Sequence, residues 1–161
     1  IYVLADEGWA WVGWRVTTVD PNMALHYRTY EFRDAKADAS QIINDAVTDP
    51  NEMTTRKLQE AFDTAERVRR DAYNQMFPLI HAAQRSGLSR TDIINTLRSD
   101  NVSRSDITAL MDDRIPLWRP SRQSQVRQLR KAGALFGTEQ VRRVRDRFAM
   151  LRELQATPQA Q

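Results

Sequence analysis

A chain of 161 residues, 28% charged and 41% hydrophobic, holds enough apolar side chains for one core or two small ones. It has no cysteine, which excludes a disulfide scaffold, a thiolate metal site and a cysteine nucleophile. Its two histidines, His26 and His81, are 55 residues apart, so no histidine pair at helical spacing can hold a metal. No uninterrupted apolar run approaches the roughly 18 residues that span a bilayer.

Five glycines against many Arg, Ala, Gln, Glu and Leu favour a mostly helical protein. The chain opens Ile1-Tyr2-Val3-Leu4, with no initiator methionine and no signal stretch, and so reads as a piece of something longer. The net charge of +3 hides a division. Residues 114–161 carry eleven Lys and Arg against three acids, a net +8, whereas residues 1–113 carry 13 bases and 18 acids, a net −5. Ten of those eleven bases are arginine, the side chain suited to bidentate phosphate or carboxylate contacts. A solvated face paired with the acidic body and a face for an anionic partner both remain open.

In chain order, residues 1–20 form an irregular aromatic segment with Trp9, Trp11 and Trp14 set among Gly8 and Gly13. Three tryptophans so close need a cover: helices of this protein, a neighbouring subunit or a membrane interface. Asp20-Pro21-Asn22 and Asp49-Pro50-Asn51 then read as two helix starts, each an N-cap aspartate before a first-turn proline, the second with Glu52 at capping-box spacing. Met23, Tyr27, Tyr30, Ala35, Ala39, Ile42 and Ala46 make the first apolar stripe, and Leu58 to Ala83 make the second. Together they predict a long hairpin, Pro21–Val47 against Pro50–Ser86, with Ile42, Phe62 and Met76 at the seam. Pro78 should kink the second helix, and Gly87 should close it in the left-handed region.

A repeat of period 14 follows: Leu88-Ser89-Arg90-Thr91-Asp92-Ile93 is echoed by Val102-Ser103-Arg104-Ser105-Asp106-Ile107. Each serine is an expected N-cap, giving a helix–loop–helix over Ser89–Asp112. The connector 114–121 holds Pro116 and Pro120 and should lie extended, anchored by Trp118. Two basic helices complete the chain, Arg122–Ala134 burying Val126, Leu129 and Ala132, and a last one capped by Thr138 with Val141, Val144, Phe148 and Leu151 inward. The fold class is therefore all-α, divided as 1–20, 21–113 and 114–161.

No catalytic template fits: there is no phosphate-binding glycine loop, no G-x-S-x-G and no H-E-x-x-H. The chain is read as non-enzymatic, with no cofactor or metal implied, and both histidines are read as structural. The stretch Asp92–Ile107 resembles a helix-turn-helix DNA reader, but Arg98-Ser99-Asp100-Asn101 stands where that motif has one residue, which changes how the second helix is presented.

The order of G-W-R-V-T-T-V-D (residues 13–20), a long helix, G-L-S-R-T-D-I-I and V-S-R-S-D-I (87–107) and I-P-L-W-R-P-S-R-Q (115–123) resembles segments of the large internal virion proteins of tailed bacteriophages. The resemblance covers residues 8–125 and carries no site residues. It implies a structural portion of an ejection protein, located in the virion and delivered into the host cell envelope, assembling with its own copies or sister proteins along the genome exit path. In that setting Trp9, Trp11, Trp14 and Trp118 are the expected protein-interface residues. Arg122, Arg127, Arg130, Arg142, Arg143, Arg145 and Arg147 are expected to meet DNA backbone or an acidic neighbour. A cytoplasmic nucleic-acid-binding regulator and a fragment of an enzyme whose active site lies elsewhere are the rival readings.

Overall fold

The structure is a computed structural model that describes residues 21–50 and 55–156. Six α-helices and no strand occur among them, and helix takes up 84%. The helices are α1 (Pro21–Thr48), α2 (Thr55–Arg85), α3 (Arg90–Ser99), α4 (Arg104–Met111), α5 (Arg122–Phe136) and α6 (Thr138–Ala156). The all-α expectation holds. The segment with Trp9, Trp11 and Trp14, the Asp20 cap and the Glu52 capping box lie outside the described residues. The described residues form two compact units, one of residues 21–33 with Tyr73–Arg114 and one of residues 34–50, 55–72 and 115–156.

In the first unit, the opening turns of α1 and the end of α2 pack with α3 and α4. Leu25, Thr29 and Phe32 of α1 are buried at successive turns. The Thr29 hydroxyl donates to the Leu25 carbonyl at 2.6 Å, so a polar residue enters the core without an orphaned group. Phe32 meets Tyr73 edge-on, with centroids 5.0 Å apart. The expected stripe is corrected here: Met23, Tyr27 and Tyr30 are 56–59% exposed. Met23-Tyr27-Tyr30 and Leu25-Thr29-Phe32 have the same spacing on opposite sides of the helix, and the core takes the second; further along, Ala39 and Ala46 of the expected stripe are buried and Ile42 is partly so.

The repeat is realised as two capped helices. Ser89 accepts from the Asp92 backbone N–H, and Asp92 returns the bond to the Ser89 N–H, a complete capping box; Ser103 accepts from the Asp106 N–H. Helices α2, α3 and α4 all end alike. Leu88, Val102 and Arg114 each donate their N–H to a carbonyl five residues back, at 3.0–3.1 Å, past a left-handed residue. Glycine supplies that residue only once, at Gly87; Asn101 (φ 62°) and Asp113 (φ 53°) supply the others. Each histidine ties a long helix to one of these ends: His26 Nδ1 lies 2.7 Å from Asp100, and His81 Nε2 lies 2.8 Å from Asp113.

In the second unit, α1 contributes Ala39, Ile43, Ala46 and Val47 to a core shared with Leu58, Phe62 and Ala65 of α2, Ala132 of α5, and Val144, Phe148 and Leu151 of α6. Phe62 and, in the other unit, Met76 are buried, while Ile42 is partly so. Helix α5 runs through Gly133 to Phe136 rather than stopping at Ala134. Gly133 lets α6 approach closely, since a Cβ there would lie 3.2 Å from Val141 Cγ2. Val126 is 38% exposed, not buried as its apolar character suggests. Thr138 is the first helical residue of α6; the carbonyl of Gly137 takes the first bond, from the Val141 N–H.

Candidate interaction surface

The basic helices α5 and α6 arise from one patterning rule. Most of their apolar residues recur at three and four positions and turn inward, leaving most of the intervening arginines to solvent, while Val126, Leu135 and Phe136 of α5 are exposed. On α5 the inward side is Gln128, Leu129 and Ala132; Arg122, Arg127 and Arg130 stand on the other side around Val126. Helix α5 contains three arginines and one lysine and no acidic residue. Its outward side borders an open recess of about 550 Å³ whose described lining is Arg122, Gln123, Val126, Arg127 and Arg130. None of these three arginines makes an ion pair among the described residues.

The other expected contact residues fare differently. Arg142, Arg143 and Arg145 are exposed on α6. Arg142, however, grips both oxygens of Glu139 at 2.8 Å, and Arg143 reaches the same carboxylate at 3.5 Å. The hydrogen bond from Arg142 holds the Glu139 carboxyl below its ordinary value, and the same bond raises the Arg142 guanidinium. Those two cations are therefore partly neutralised within their own helix.

Arg147 is a correction. It is 6% exposed, and its Nη1 donates to the carbonyls of Val47 at 2.7 Å and Asp49 at 2.8 Å. Burial pulls its guanidinium downward, while the Asp49 charge opposes that. Two turns earlier, Gln140 Nε2 donates to Thr48 at 3.2 Å and Asp49 at 2.9 Å. Helix α6 thus caps the carbonyl end of α1, which lacks basic residues in its own last turn. Spacing alone did not separate Arg147 from its neighbours. The available signal was its position on the Val144–Phe148–Leu151 side of the helix.

Trp118 belongs to the interior of its own unit. It is partly buried, meets Phe62 edge-on at 6.1 Å, and its carbonyl accepts from Gln155. The connector is pinned again where Arg69, 4% exposed and paired with Glu66 at 2.7 Å, donates to the Pro116 carbonyl. The helix–loop–helix presents Arg104, Ser105 and Thr108 on the exposed side of α4, beside the acids Asp112 and Asp113. Asp106 is buried against the Tyr73 hydroxyl at 2.8 Å.

Facing the basic helix in sign, although not in space, is the outward side of α1. Asp34, Asp38 and Asp45 are all exposed there, opposite Ala39, Ile43, Ala46 and Val47. Among the described residues no group of three His, Asp or Glu side chains is placed to hold a metal, and no helix is long and apolar enough to cross a membrane. No protein-family model, curated protein or solved structure matches the chain.

Proposed function

We propose that this chain is a non-enzymatic assembly portion of an internal virion (ejection) protein of a tailed bacteriophage, packing with its own copies or sister proteins along the genome exit path. The phage setting rests on the sequence resemblance. The assembly role is supported by one structural observation: α5 carries arginines and no acid on its exposed side, while Asp34, Asp38 and Asp45 share one exposed side of α1. The unusual buried ions, Arg69 and Arg147, are spent on backbone carbonyls within the fold. That leaves the outward charges as the groups available to a neighbour.

The alternative is a regulator that reads DNA through α3 and α4, and the two capped helices favour it. Against it, α4 is eight residues long and offers Arg104 as its one exposed cation, with Asp112 and Asp113 at its far end.

Sedimentation velocity of the full chain over a range of concentrations tests the assembly reading. Association that grows with concentration and weakens as salt rises from about 0.05 M to 0.5 M is expected, because exposed charges are screened over shorter distances. A monomer at every concentration and salt overturns it.

A further inference from the structure

We infer that the arginine side of α5 docks on the acidic side of α1 in a second copy of this chain, joining copies head to tail. The inference rests on the assembly reading and names the surfaces that carry it. On α5, Arg122, Arg127 and Arg130 surround Val126 on an exposed side of the helix. On α1, Asp34, Asp38 and Asp45 form a stripe on one side of the helix. Asp34 and Asp38 make no ion pair among the described residues, and the Asp45 carboxylate accepts from Gln41, at 2.6 Å. The arginines extend over about 12 Å of helix and the aspartates over about 16 Å, at 1.5 Å per residue, so the two stripes are of comparable length.

The match cannot close within one molecule. Ala39, Ile43 and Val47 of α1 and Ala132 of α5 belong to the same core, so both charged sides point away from it. Guanidinium and carboxylate groups at such a contact form charge-assisted, often bidentate, hydrogen bonds. Because the two surfaces differ, the contact is heterologous and propagates into a ring or a filament. DNA backbone is the competing occupant of the α5 side. The second copy is favoured because the complementary charge lies on the chain itself, and because Glu139 partly neutralises Arg142 and Arg143 and so weakens a basic track into α6.

The test uses the full chain and charge reversals at exposed positions, R127E on α5 and D38K on α1, with R130E and D34K as a second pair. Each variant alone should associate about tenfold more weakly than the parent, and an equal mixture of R127E and D38K should recover association, because reversed and native faces again pair opposite charges. Loss without recovery on mixing overturns the pairing of these two faces. If the parent associates and all four variants associate equally well, the faces are wrong while the assembly reading stands; if the parent never associates, both fall. If R127E keeps self-association but loses salt-dependent binding to a DNA duplex of arbitrary sequence, the arginines serve nucleic acid and the inference fails.

Discussion

Gln128 is 6% exposed, and its Oε1 has no hydrogen-bond partner among the described residues. A buried acceptor left unpaired costs about 1–3 kcal/mol, whereas an apolar side chain of similar size costs nothing in lost hydrogen bonds. Q128L should therefore raise stability by about 1 kcal/mol, seen as a higher melting temperature. Arg147 is the opposite case, a buried polar group with its partners in place. R147M removes the donor to the Val47 carbonyl and leaves the Asp49 carbonyl with Gln140 alone, so a loss of about 2–3 kcal/mol is expected in chemical denaturation. R145Q, at an exposed neighbour with no ion pair, should change stability by no more than about 0.5 kcal/mol. Near-equal effects of the two substitutions would contradict the buried placement of Arg147.

At the scale of elements, the two serine caps make a matched experiment within one molecule. S89A breaks a reciprocal capping box, while S103A removes a single cap bond. Each should cost about 1 kcal/mol by thermal melting, with S89A no less costly than S103A, and S89D and S103D should stay near the parent because aspartate caps equally well. The helix ends allow a second comparison. Asn101 holds a left-handed conformation, and N101V should destabilise because a β-branched residue is strained there, whereas N101G should not. In the second unit, F62A empties a site that touches Trp118 and the shared core, and a loss of about 3–5 kcal/mol is expected from the unfolding midpoint.

Over the whole molecule, what was legible in the sequence is what local rules determine. The caps at Ser89 and Ser103, the left-handed Gly87 and the inward residues of α6 follow from contacts within a few positions, and all are observed. The inward side of early α1 was not legible, because Met23-Tyr27-Tyr30 and Leu25-Thr29-Phe32 have the same period and only packing chooses between them. The candidate surface divides in the same way. On α5 the arginines are outward as expected, but Val126, expected inward, shares the side of Arg122 and Arg130; the fates of Arg147 and of Arg142 depend on where α1 ends and where Glu139 points.

The capping of α1 by α6 also has a history in time. The carbonyls of Val47 and Asp49 are made early, and Arg147, their donor, follows about a hundred residues later. At synthesis rates of about 5–20 residues per second, the end of α1 waits roughly 5–20 seconds for its cap on the ribosome. Over the same interval the core of the second unit lacks Val144, Phe148 and Leu151. A nascent chain stalled before residue 140 should thus be far more open to proteolysis around residues 34–72 than the finished protein, with the last helix acting as the latch that ends the vulnerable period.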